Sequence, residues 1–161
     1  MSWVLHRVDD RLIHGQVLVA WGLRYDPARI WLADDDVAGS AWERQVYEDA
    51  APGIAVKVVT VAEAAAAWAG EAVAHGGAFL LVRDLGTALR LVEAGATVAV
   101  WNVGGLHYAP GKDKLNEFVY LDDRDRAAAR ALLARGVALE AQDVPATRPQ
   151  PLVALEPSLA P

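Results

Sequence analysis

Seven short, largely apolar runs separated by helix-like patches limit what this chain can fold into. The runs cover residues 3–8, 29–33, 55–61, 78–82, 97–101, 117–121 and 137–141. Most are continuously apolar rather than alternating, which is the pattern of strands buried on both faces. Between them, residues 15–24, 40–50, 62–74, 85–94 and 123–135 carry helical patterns. This alternation predicts an α/β domain, a three-layer α/β/α sandwich around a mostly parallel central sheet of six to seven strands. Punctuation agrees: Gly95 and Gly136 follow helices, Pro27 and Pro52-Gly53 break the chain direction, and Asp122-Asp123 stand at a helix start.

Composition narrows the class. A chain of 161 residues, 54% apolar, suits one domain with one core. With 0 cysteines, disulfides, thiolate metal sites and cysteine nucleophiles are excluded, which fits a reducing interior. No leader pattern and no apolar run of membrane-spanning length is present, so a cytoplasmic protein is expected. A net charge of −6 without a Lys/Arg cluster argues against nucleic acid as a partner. Residues 1–144 are read as the domain and residues 145–161 as a proline-rich C-terminal arm. Pro145, Pro149, Pro151, Pro157 and Pro161 preclude a regular element there. The arm either packs through Leu152, Val153, Leu155 and Leu159 or is disordered, and composition favours disorder.

The chemistry concentrates in Arg7-Val8-Asp9-Asp10-Arg11-Leu12-Ile13-His14-Gly15-Gln16-Val17. His14 falls where the first strand gives way to a helix, and open parallel sheets bind ligands at such carboxyl ends. A helix start offers unpaired N–H groups and a partial positive charge to an anion. Neutral imidazole is nucleophilic near neutral pH, so His14 is a candidate phosphate carrier.

These eleven residues resemble the active-site segment of IIB components of the mannose, fructose and sorbose class of the bacterial sugar phosphotransferase system, in which the histidine of this loop is phosphorylated. The resemblance continues at Ile30 to Ala38, at Ala50-Ala51-Pro52-Gly53 and at Trp101-Asn102-Val103-Gly104-Gly105-Leu106-His107-Tyr108. It implies a sheet order of 3-2-4-1-5-6 and no metal or organic cofactor. It implies partners as well: a phosphorylated IIA protein as donor, and membrane IIC and IID subunits holding the sugar.

Around His14, Arg11 is expected to neutralise phosphoryl charge, and Arg7 either joins it or alternates out to solvent. Asp9 and Asp10 would repel a phosphoryl group directly. Their expected work is to fix the loop or orient Arg11 or His14, unless they are plain turn residues, and Asp10 is grouped with His14 and Arg11 as catalytic. Gly15 and Gln16 are expected to admit and bind phosphate, with Asn102, Gly104 and Gly105 as a second wall offering backbone N–H groups, or forming an ordinary tight loop. Asp34-Asp35-Asp36 has oxygen ligands suited to Mg²⁺, but strand-end turns or helix caps explain it equally well and no metal site is assigned. His6, His75, His107 and Tyr108 are read as structural or surface groups, and Trp3, Trp31 and Trp101 as core.

The expected protein is therefore a phosphoryl carrier acting through His14, or a regulatory carrier of the same fold not coupled to sugar uptake. A phosphoaspartate receiver would need an aspartate ending the third strand and a lysine ending the fifth, where the chain has Val59-Thr60-Val61 and Trp101-Asn102. No glycine-rich nucleotide loop follows a strand.

Overall fold

A computed structural model describes residues 2–68 and 76–161. His75 and the later part of the expected helix 62–74 lie outside the described residues.

The strands are β1 (Trp3–Asp9), β2 (Arg29–Ala33), β3 (Ala55–Val59), β4 (Ala78–Val82), β5 (Val100–Gly105), β6 (Asp113–Lys114), β7 (Tyr120–Leu121), β8 (Ala138–Ala141) and β9 (Gln150–Pro151). The main sheet has the order β3-β2-β4-β1-β5-β8-β9. Every pairing in it is parallel except that of β8 with β9. Counting only the strands of this sheet along the chain, so that β8 stands sixth, its first six members follow the order 3-2-4-1-5-6 that the resemblance implies.

A π-helical segment, Gln16–Trp21, runs into α1 (Gly22–Tyr25). The other helices are α2 (Asp35–Ala38), α3 (Ala41–Glu48), α4 (Val61–Ala67), α5 (Leu85–Glu93), α6 (Asp123–Ala134) and the single turn α7 (Leu152–Leu155). Their starts are set by side chains: Asp34, Ser40, Thr60, Asp84 and Asp122 each accept a hydrogen bond from an N–H three residues on. Asp34 also pairs with Arg83 at 2.8 Å, and Asp35 accepts from the Val61 N–H and from Arg90. The acidic triplet thus opens a helix and ties it to its neighbours.

Strand alternation divides the apolar residues into two cores. Trp31, Leu80, Val82, Trp101 and Val103 face α4, α5 and α6, whereas Ile30, Leu32, Phe79 and Leu81 face Val17, Trp21 and Val37. Layers on both faces leave the carboxyl ends of β1 and β5 as the place where their loops meet. Among the described residues, no helix is long and apolar enough to cross a membrane.

Three local expectations are corrected. The fifth strand begins at Val100 rather than residue 97 and runs through Gly105, because Asn102 and Gly105 still pair with Arg7 and Asp9 of β1. The glycine pair is therefore a strand end held against β1 rather than a free loop. The run 117–121 is not a strand of the main sheet, although Val119 and Leu121 are buried in the larger core: Tyr120–Leu121 pairs with Asp113–Lys114 in a separate antiparallel pair, joined to the end of β5 by a bridge between Leu106 and Val119. Its position past the end of the main sheet leaves it, among the described residues, that one parallel bridge instead of a ladder.

The C-terminal segment is ordered, against the expectation from composition. Gln150 and Pro151 pair with β8, while Leu152 and Leu159 are fully buried in the larger core. Proline is tolerated in β9 because β9 is an edge strand.

Candidate functional site

β1 delivers Arg7 and Asp9 to the same face of the sheet, two residues apart. The chain then reverses at once, with the Leu12 N–H donating to the Asp9 carbonyl at 2.9 Å. Leu12 takes φ +57°, a left-handed conformation unusual for a leucine, while its side chain is fully buried. Burial of that side chain holds the turn, which brings His14 back over Asp9.

The Asp9 carboxylate is the centre of the site. Its Oδ2 lies 2.8 Å from His14 Nε2 and accepts from Arg7 Nη2 at 2.9 Å. Its Oδ1 accepts from the Arg11 backbone N–H at 3.1 Å and from Arg11 Nε at 3.2 Å. The side chain is wholly buried. Burial alone would raise its pKa, but the hydrogen bond from His14, the Arg7 charge and the hydrogen bond from Arg11 together outweigh it and hold the carboxyl well below the usual carboxylate range.

Arg7 is equally buried. Nη1 donates to Asn102 Oδ1 at 2.6 Å and to the Gln142 carbonyl at 3.1 Å, and Nη2 donates to the Asp143 carbonyl at 3.0 Å. The guanidinium sits 5.4 Å from the ring centroid of Trp21, whose indole N–H donates to the same Asp143 carbonyl. A Cβ added to Gly104 would fall inside this guanidinium.

Several expected roles therefore change. Arg7, Asn102 and Gly104 do not line a phosphate cradle: they form the buried support behind Asp9, since Arg7 has no solvent-facing surface and Gly104 exists to admit it. Gly105 likewise makes room, because a Cβ there would lie 2.9 Å from both Asp9 Oδ1 and His107 Cε1. Asp10 is turned to the β5 loop, accepting from the His107 backbone N–H at 2.7 Å and facing its Nδ1 at 2.6 Å. The aspartate against His14 is Asp9. Arg11 remains beside His14, partly exposed, with Nη2 donating to Gln16 Oε1 at 3.0 Å. Gly15 is open: a Cβ there would meet nothing within 4 Å.

A carboxylate only accepts, so the nitrogen of His14 facing Asp9 carries the proton and Nδ1 keeps its lone pair. The arrangement fixes the tautomer and orientation of an imidazole that stands just before a helical segment, beside a cation.

Asp9, Asp10 and His107 each bring a ligand atom within 4.8 Å of the others. Both oxygens of Asp9 are already taken by cationic donors, so this donor set is an ion-pair network rather than a cation cage.

The geometry has close counterparts. The family model for the sorbose subfamily IIB component of the phosphotransferase system matches residues 3–158. The sorbose-specific EIIB component of Klebsiella pneumoniae is 36% identical over 141 residues, covering 87% of this chain and 86% of that protein. The chain belongs to the sorbose-type IIB family.

The mannose-specific EIIAB component of Escherichia coli K12 is also 36% identical over 141 residues, but this IIB chain spans only 44% of its length. Among solved structures, the IIB domain of the sorbose permease from Klebsiella pneumoniae superposes with a TM-score of 0.89 at 33% identity, covering 99% of each chain. The N-acetylgalactosamine-specific IIB component 1 of Escherichia coli gives 0.85 at 32% identity, covering 92% of this chain and 98% of that one. Membership makes the protein a phosphotransferase-system component and agrees with the three-layer α/β/α fold. It also brings most of the C-terminal segment within the family match.

The expectation that the two aspartates fix the loop and orient Arg11 or His14 holds for Asp9, but Asp10 was grouped with His14 in its stead, although the spacing of Asp9 from Arg7 on one strand was a signal for a paired buried carboxylate. Sequence reasoning missed Gln142, Asp143 and Trp21, because backbone carbonyls leave no trace in a sequence. His107 was read as structural, and its contact with Asp10 follows only from the fold.

Proposed function

We propose that this IIB chain carries a phosphoryl group on Nδ1 of His14, taking it from the phosphohistidine of a IIA protein and passing it to a sugar held by membrane IIC and IID subunits. One observation carries the reading: the buried Asp9 carboxylate occupies Nε2 of His14 and leaves Nδ1 as the nucleophile. In the first step the donor's N–P bond breaks as an N–P bond to His14 Nδ1 forms, and the donor imidazole leaves. In the second, a sugar hydroxyl attacks phosphorus, the His14 N–P bond breaks and the hydroxyl proton passes to solvent or imidazole. Arg11 stabilises charge on the transferring group, the open space over Gly15 admits it, and no cofactor is needed. Arg7, Asn102 and Gly104 act behind Asp9, keeping it charged and fixed. Work at the cytoplasmic face of the membrane belongs to the same reading. The relatives' names span sorbose, mannose, N-acetylgalactosamine and fructose, and the proposal extends to sugar as a class.

The test incubates the protein with a phosphorylated IIA protein and maps the acid-labile phosphate by ³¹P NMR, then adds membranes containing IIC and IID with candidate sugars. Phosphate on His14 Nδ1 that is lost in the presence of sugar is the expected result. Phosphate on another residue sinks the proposal. Labelling of His14 without sugar-dependent loss leaves a regulatory carrier instead.

A further inference from the structure

The cations around His14 fall short of the charge that a phosphohistidine brings. Arg7 and Arg11 match the two aspartates in number but both pair with Asp9, leaving Asp10 to His107, and a phosphoryl group adds a further charge of about −1.5 to −2 near neutral pH. Arg7 is buried, and each of its nitrogens is already engaged. Arg11 shares itself between Asp9 and Gln16.

The imidazole of His107 is the next titratable ring along this network: one of its nitrogens and an oxygen of each of Asp9 and Asp10 lie within 4.8 Å of one another. Its backbone N–H and its Nδ1 both go to Asp10, and its side chain is 41% exposed. Gly105, by lacking a Cβ, lets the ring lie against the Asp9 carboxylate whose other oxygen holds His14. The two histidines thus flank one pair of aspartates. A carboxylate only accepts, so Nδ1 of His107 carries a proton, and Nε2 can donate only when the ring is an imidazolium.

We propose that His107 is a catalytic residue of this site: as the phosphoryl group reaches His14, the ring takes a proton from solvent and Nε2 donates to a phosphoryl oxygen, with Asp10 positioning it. The inference rests on the reading of His14 as the phosphoryl carrier. Charged residues on the segment after His107 are paired elsewhere, Lys112 with Asp125, Asp113 with Arg126 and Lys114 with Glu117, so they do not compete for the group.

Phosphoramidate, a small phosphoryl donor, tests the proposal on the full chain without any partner protein. The ring nitrogens of His107 are followed by long-range ¹H–¹⁵N NMR before and after labelling. The Nε2 resonance is expected to move to its protonated position when His14 is phosphorylated, a change that a structural role for His107 would not produce. His107→Gln is expected to label at least tenfold more slowly with an unchanged melting temperature, and Asp10→Asn to weaken the Nε2 response. A wild-type Nε2 resonance that does not move overturns the proposal and leaves His14 as carrier. Should His107→Gln fail to fold, that wild-type resonance decides alone. Absence of phosphate on His14 in the wild-type protein overturns both readings.

Discussion

Gly104 and Arg7 cannot both carry side chains: a Cβ on Gly104 would occupy the space of the Arg7 guanidinium, which β1 and β5 hold between them without any solvent contact. The glycine is therefore part of the ion-pair network although it contributes no polar group. Gly104→Ala is expected to destabilise the fold by about 3 kcal/mol or more, because either the guanidinium or the backbone of β5 must move and a buried charge pair breaks. Urea unfolding measures it, and a midpoint equal to that of the wild-type protein would contradict the account.

Asp9→Asn keeps the shape and removes the charge. It leaves the Arg7 guanidinium buried against Asn102 and two carbonyls without its hydrogen-bonded counter-ion, and breaking a buried pair in this way typically costs about 3–5 kcal/mol. The amide can also offer an N–H where His14 needs an acceptor, so the ring loses its fixed tautomer. The expected outcome is a lower melting temperature together with a fall in His14 labelling larger than the unfolded fraction explains. Labelling reduced only in proportion to unfolding would mean that Asp9 serves the fold alone.

The layered fold was legible because continuous apolar runs alternating with helical patterns leave few other arrangements, and the strand-end position of His14 followed from the first such run. What could not be read was direction. Asp9 and Asp10 are adjacent and chemically alike, and only the pairing of β1 with β5 decides that one meets His14 and the other His107. Asn102 and the glycine pair have the composition of a phosphate loop, but Asn102 and Gly104 serve as the packing surface for Arg7 and Gly105 makes room for Asp9 and His107. In the C-terminal segment, the prolines obscured two leucines whose burial pins it to the larger core.

Arg11 separates catalysis from folding more cleanly than Arg7 does. Its side chain is 39% exposed, and its bonds to Asp9 and Gln16 are of the partly screened kind that contribute little to stability. Arg11→Ala is expected to slow phosphoryl transfer to His14 more than tenfold, equivalent to about 1.4 kcal/mol or more in the barrier, with little change in melting temperature. Unchanged single-turnover kinetics would remove Arg11 from the site.

His6 adds an acid sensitivity to the fold that is independent of the phosphoryl site. It lies on the opposite face of β1 from Arg7, with ring centroids 5.9 Å from Trp3, 5.7 Å from Trp68 and 5.7 Å from Trp101. Among the described residues its Nε2 is buried without a hydrogen-bond partner, as are the indole nitrogens of Trp3 and Trp101. Burial in this apolar setting lowers its pKa from 6.5 to about 4. The unfolded chain therefore binds the proton more readily than the folded one between these values. The stability contributed by neutral His6 is fully present above pH 6.5, is lost as the pH falls toward 4 and declines no further below that. The size of the loss is on the order of 3 kcal/mol at the acid end of this window. His6→Phe, which keeps an aromatic ring and cannot protonate, is expected to show a flatter dependence of unfolding free energy on pH over this range, with His14 labelling by phosphoramidate unaffected. Parallel pH profiles for the two proteins would show that the tryptophan cluster opens to solvent before His6 titrates.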